Sequence, residues 1–163
     1  MEKARMILRK NSATAASKKS ERTLGAGIIG YYIHSNKKMS AMVELFCETD
    51  FVAQNPEFVQ TANNLAMHIT AMAPEFTKSS DIDEVSMAKA KAFFEGEIAN
   101  SDKPADIKAK IIEGKLNDFF AEKTLMNQAS VVDPDTTIEQ IINQLIQKTG
   151  EKIEIGKFVR LSV

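Results

Sequence analysis

The sequence predicts an α+β fold: a small antiparallel three-stranded sheet with helices packed on one face, preceded by an N-terminal helix. Three observations lead there. Residues 28–47 carry two short strand-like runs, the second with period-two alternation, joined by the polar tetrapeptide Ser35-Asn36-Lys37-Lys38. The middle of the chain repeats apolar residues at steps of three and four. Residues 153–163 then return to a strand-like pattern. A hairpin cannot bury a face alone, so this last strand is expected to complete a sheet with it, covered by helices in a layered architecture.

Residues 2–19 read as a helix with a thin apolar stripe among Lys3, Arg5, Arg9, Lys10 and Lys18. Gly25 and Gly27 interrupt it. Ile28 to His34 is the first strand, and Asn36 tolerates left-handed geometry in the turn that follows. Ser40 to Cys47 returns, with Ala41, Val43, Leu45 and Cys47 on one face and Met42, Glu44 and Phe46 on the other.

Asn55 suits a helix N-cap and Pro56 the first helical position. Phe58, Ala62, Leu65, Ile69 and Met72 then make one face of a helix that ends before Pro74. A second helix over about 81–100 is expected to turn Val85, Ala88 and Ala92 inward, with Met87, Phe94 and Ile98 beside them. Gly96 weakens it. Pro104 opens a third helix bearing Ile107, Ile111, Ile112, Leu116, Phe119 and Phe120, with Gly114 a candidate bend. Thr136 and Glu139 have capping-box spacing. Ile138, Ile141, Ile142, Leu145 and Ile146 form a strong amphipathic helix closed by Gly150. Ile153 to Val163 is the last strand, with Gly156 a bulge or twist point. No internal repeat or low-complexity tract is present.

At 163 residues the chain is long enough for an ordinary core, and its formal net charge of -1 argues against a broad nucleic-acid footprint. Its one cysteine, Cys47, rules out an intrachain disulfide and fits a reducing compartment. No apolar run reaches membrane-spanning length. The basic start lacks the apolar region of a secretory signal, and Glu2 and Glu21 argue against a transit peptide.

Catalytic chemistry finds little footing. His34 and His68 are the two histidines, and no HExxH, CxxC or His-x-Cys spacing occurs, so no metal site is expected. No Walker A sequence is present. Gly25-x-Gly27-x-x-Gly30 matches GxGxxG but precedes a strand, where a dinucleotide loop should follow one. Acidic Glu48 beside Cys47 is expected to raise the thiol pKa and suppress nucleophilicity, so a buried structural cysteine is expected. Glu44, Glu48 and Asp50 read as a solvated rim on one face, with no second catalytic element. The expectation is a non-enzyme with no catalytic residues, no cofactor and no metal.

The informative segment is Glu44 to Asn55, where a strand stops at an acidic cluster and Phe51 follows at a strand-to-helix corner. A large ring at such a corner is either tucked into the core or offered to a partner; without further context, aromatics are more often buried. Asp50 could simply cap a turn.

The word Cys47-Glu48-Thr49-Asp50-Phe51-Val52-Ala53, followed by Asn55, resembles the central signature of the elongation factor Ts family. It departs at Phe46, where the family usually has asparagine, and at Gln54, where a basic residue is common. Gly30-Tyr31-Tyr32-Ile33-His34 is similar to the family's preceding strand. Met67-His68-Ile69 and Met72-Ala73-Pro74 resemble the end of its next helix, and Glu113-Gly114-Lys115-Leu116 with Phe120 a later one. Leu125 and Gln128 stay in register, while Ala129 and Ser130 replace the usual Pro-Phe. Gly150-Glu151-Lys152-Ile153 and Phe158-Val159-Arg160 resemble the closing strand. The resemblance covers residues 3–163.

The resemblance implies a guanine-nucleotide exchange factor of the bacterial cytoplasm. It would bind elongation factor Tu carrying GDP and promote GDP release, without binding nucleotide, nucleic acid or membrane itself. Thr49, Asp50, Phe51 and Val52 would bind the partner, with Phe51 as a wedge and Asp50 disturbing the GTPase's Mg²⁺ region. It further implies residues 1–24 as the last helix and linker of a docking domain, and 25–163 as the core domain. The inserted coiled coil of long members is lacking; the chain resembles the short form, in which a second copy completes the surface. Two other readings stand beside this one. One is a folded relative impaired in exchange; the other is a ribosome- or RNA-binding module using Arg5, Arg9, Lys10, Lys18, Lys19 and Arg22.

Overall fold

The computed structural model describes residues 22–99, 101 and 104–163; the helix expected over residues 2–19 lies outside them. Three strands form one antiparallel sheet: β1 (Ala26–Ile33), β2 (Met39–Cys47) and β3 (Glu154–Ser162), with β2 in the centre. Five α-helices occur among the described residues: α1 (Asp50–Ala53), α2 (Pro56–Met72), α3 (Glu84–Ile98), α4 (Ala105–Lys123) and α5 (Ile138–Thr149). The α+β class and the joining of the last strand to the hairpin agree with the sequence reading.

The described chain packs as two compact units. One comprises the residues up to Ala73 together with Ala129–Val163; the other is Pro74–Gln128.

In the first unit, the alternation of β2 decides which face of the sheet is covered. Ala41, Val43, Leu45 and Cys47 are buried, whereas Met42 and Phe46 are exposed. Helix α2 lies on the covered face, with Phe58, Ala62, Leu65 and Ile69 buried. Met72 at its end is exposed, contrary to the periodicity: the helix stops there as Ala73 turns left-handed at φ 48 ahead of Pro74. Helix α5 adds Ile138, Ile142, Leu145 and Ile146 to the buried set.

Two local expectations move by one residue. In the β1–β2 turn the left-handed residue is Lys37 at φ 58 rather than Asn36. Asn36 serves the turn with its side chain, whose Oδ1 accepts the Lys38 N–H at 2.9 Å. The capping box of α5 is built by Thr137 and Gln140, in place of Thr136 and Glu139. Thr136 donates its hydroxyl to Asp133 Oδ2 at 2.7 Å and so belongs to the preceding turn.

The β2–β3 register shifts between Val43 and Leu45, which pair with Phe158 and Ile155. Gly156 and Lys157 thus stand opposite Glu44 alone, a bulge at the expected glycine. The outer face explains why. Phe46 pairs with Gly27 of β1, and a Cβ on Gly156 of β3 would meet the Phe46 ring at 2.4 Å. The ring lies over glycines on both neighbouring strands, and this is how the unusual Phe46 is accommodated.

The second unit is a helical pair with its own small core. Ala90, Phe94 and Phe120 are buried, with Phe76, Ile82, Ile112, Leu116 and Phe119 packed against them. The rings meet edge-on: Phe94 and Phe119 have centroids 5.7 Å apart at 82°. The inward positions of α3 are therefore Ala90, Phe94 and Ile98. Val85, Met87, Ala88 and Ala92 face solvent, which corrects the sequence expectation for them. Ile107 is exposed on α4, and the helix runs on through Gly114.

Candidate functional site

β2 ends at Cys47, and two residues later the chain enters the short helix α1. Thr49 is its N-cap, in extended conformation, with Oγ1 accepting the Val52 N–H at 3.5 Å. Val52 and Ala53 point inward and are buried. Asn55 then caps α2, its Oδ1 accepting the Glu57 N–H at 2.8 Å, and Pro56 opens that helix. The path from β2 to α2 is thus pinned at both ends, and Asp50 and Phe51 lie on its exposed side.

Phe51 is 85% exposed. That exposure resolves the alternative left by residue chemistry: the ring is not in the core. A free aromatic ring leaves its apolar area in water, a cost that core packing does not recover here. Of the four expected site residues, Asp50 and Phe51 face solvent, Val52 anchors the corner from beneath, and Thr49 fixes its entry.

A pair of carboxylates braces the corner. Glu151, just after α5, accepts the N–H groups of Glu48 and Thr49 on Oε2, each at 3.1 Å, and the Thr49 hydroxyl on Oε1 at 2.6 Å. Glu48 reciprocates: its Oε1 accepts the Lys152 N–H at 2.5 Å. Arg22 completes the group, donating to Glu48 Oε1 at 3.2 Å and to the Gly150 carbonyl at 3.3 Å. These bonds lie beyond the last β2–β3 pair, Phe46 with Glu154, where ladder bonds have run out.

This overturns the reading of Glu44, Glu48 and Asp50 as a solvated acidic rim. Glu48 and Glu44 both accept backbone N–H groups, Glu44 from Lys157 at 2.9 Å, and Asp50 alone remains an outward acid. Arg22, grouped with the basic residues of the RNA-binding reading, is engaged by Glu48 and Gly150. The other members of that basic group lie outside the described residues.

Cys47 is buried, with Sγ 3.2 Å from the Thr49 carbonyl. Burial first, then the Glu151 and Asp50 carboxylates, push its thiol pKa up. The thiol is packed in the interior, and these neighbours disfavour its thiolate.

Glu151 and Lys152 escaped the sequence reading as parts of this site. Their signals were an acid directly after the helix-closing Gly150 and the resemblance of Gly150-Glu151-Lys152-Ile153 to the family's closing strand, and neither says anything about a corner so far away in the chain. Among the described residues no helix is long and apolar enough to cross a membrane.

The comparisons with known proteins agree along nearly the whole chain. The family model for elongation factor TS matches residues 14–163. The elongation factor Ts of Thermosipho melanesiensis is 42% identical over 163 residues, covering 100% of this chain and 83% of its own. That of Pseudothermotoga lettingae is 41% identical over 162 residues, 99% of this chain and 82% of its own. That of Thermotoga maritima is 41% identical over 163 residues, 100% of this chain and 81% of its own. With a matching signature, a corner built around it and this breadth of similarity, the chain belongs to the elongation factor Ts family of translation elongation factors.

Proposed function

We propose that this chain is a guanine-nucleotide exchange factor that binds elongation factor Tu carrying GDP and promotes GDP release. The observation that carries the reading is Phe51: a large apolar ring, 85% exposed, on a corner whose backbone is tied down on both sides. A rigid exposed aromatic is the kind of anchor that dominates protein interfaces, worth up to several kcal/mol once seated in a pocket.

The mechanism needs no covalent step. A GTPase holds GDP through backbone amides on the phosphates and through its own Mg²⁺. Phe51 wedges into the GTPase and stabilises a state in which those contacts are distorted. Asp50, beside it and equally outward, sets a negative charge near the Mg²⁺ region. Thr49 and Val52 hold the turn. By linkage, the factor weakens nucleotide binding as much as nucleotide weakens the factor. Driving such an equilibrium from one extreme to the other takes about 5.5 kcal/mol of differential binding. The factor itself neither binds nucleotide nor acts as an enzyme, and it works in the cytoplasm, where its partner is.

The active species in this reading is a homodimer. The face of the sheet turned away from α2 carries Ile29, Tyr31, Ile33, Met42, Val159 and Leu161, all more than 40% exposed. Tyr31, Met42 and Val159 sit in one cross-strand row. An exposed apolar patch of this kind marks an interaction site, and a second copy of the same sheet would cover it symmetrically.

The direct test is release of labelled GDP from elongation factor Tu with and without this chain. Faster release supports the reading; an unchanged rate, with no complex formed by nucleotide-free elongation factor Tu, would refute it.

A further inference from the structure

We infer that Glu151 is a positioning residue for exchange: through Thr49 it fixes the direction in which Phe51 is offered to the GTPase. The inference rests on the exchange reading above and adds to it a residue outside the signature.

Both carboxylate oxygens of Glu151 are committed to the corner. Oε2 takes two backbone N–H groups and Oε1 takes the Thr49 hydroxyl at 2.6 Å. Bonds with one ionised partner are the strong class of hydrogen bond. The arrangement also dictates the residue at 49. Its hydroxyl hydrogen goes to Glu151, and its oxygen lone pair receives the Val52 N–H that starts α1. One hydroxyl therefore links the α5–β3 turn to the first turn of the helix bearing Phe51. An aspartate could cap α1 equally well, but it would set a second carboxylate against Glu151. The return bond from Lys152 N–H to Glu48 locks the same two segments in the opposite sense. Without the carboxylate, residues 48 and 49 lose the acceptor that replaces the missing ladder, and the corner must be ordered on binding, which weakens association.

The test is a mutant cycle read by GDP release from elongation factor Tu and by amide exchange. Glu151→Gln keeps the shape but removes the charge and one of the two acceptor oxygens, so either the two N–H groups or the Thr49 hydroxyl loses its acceptor. It is expected to slow stimulated release about tenfold and to speed exchange of the Glu48 and Thr49 amides. Thr49→Ser should retain release and Thr49→Val should lose it. In a Phe51→Ala background, Glu151→Gln should add no further loss, because there is no ring left to aim. Should Glu151→Gln fail to fold, Thr49→Val carries the same cycle. Undiminished release by folded Glu151→Gln, beside slowed release by Phe51→Ala, overturns the positioning role alone. Equal loss with and without Phe51 overturns it as well. If Phe51→Ala itself releases GDP normally, the exchange reading fails and the positioning role falls with it.

Discussion

Gly30 and Ala62 meet where α2 crosses β1: a Cβ on Gly30 would lie 2.2 Å from the Ala62 carbonyl oxygen and 2.8 Å from its Cβ. The helix can approach the sheet this closely only because position 30 has no side chain. Neither contact is with a flexible side-chain end, so relief requires moving α2. Gly30→Ala is expected to cost about 3 kcal/mol, at the upper end of overpacking. Urea denaturation would measure it. Because α2 begins directly after the Phe51 corner, the same variant should also slow GDP release.

Asp83 caps α3, accepting the Ser86 N–H at 2.7 Å and the Ser86 hydroxyl at 2.9 Å. The Ser86 backbone and side-chain hydrogen bonds hold its carboxyl below the ordinary value of 3.8. A depressed folded-state pKa contributes stability that is present above the unfolded value and is lost as pH falls through the folded one. An NMR titration of the Asp83 carboxyl should therefore give a midpoint below 3.8. Ser86→Ala should move that midpoint upward, leaving the backbone hydrogen bonds, that of residue 86 first, to hold it down. A midpoint at the ordinary value in the unsubstituted protein would contradict this lowering by the cap.

Met42 lies at the middle of the outer sheet face, between Tyr31 and Val159. It is 48% exposed, so a charge there should leave the isolated fold stable. Met42→Lys would, however, bury opposed ammonium groups in a face-to-face dimer, which is costly. Sedimentation at micromolar concentration is expected to give a dimer for the unsubstituted chain and a monomer for Met42→Lys. A monomer in both cases would contradict the proposed assembly.

The elements legible in the sequence were those with strong local signals. Alternation in Ala41 to Cys47 set the covered face, and Asn55-Pro56 marked the start of α2. Isoleucines on a strict helical face identified α5. α3 was harder because its alanines and neighbouring Phe93 and Phe94 define no single stripe. There the rings of α4 select Ala90 and Phe94, which is a tertiary choice and not a local one. The site divides the same way. The corner and its aromatic could be named from the chain in order, but whether Phe51 was buried depended on Val52 taking the inward position beneath it. The Glu151 bonds depend on how β3 joins β2, and the Phe46 ring over its two glycines depends on the register of β2 with both neighbours, which no local pattern encodes.

The central claim is that the exposed ring of Phe51 drives nucleotide release. The most direct measurement is stopped-flow release of labelled GDP from elongation factor Tu with increasing amounts of the unsubstituted chain or of Phe51→Ala. Since the ring is almost wholly exposed, the variant should melt with the parent. Loss of an interface anchor worth about 2 kcal/mol or more predicts release slowed by more than tenfold at equal concentration. Release by well-folded Phe51→Ala as fast as by the parent would contradict the account.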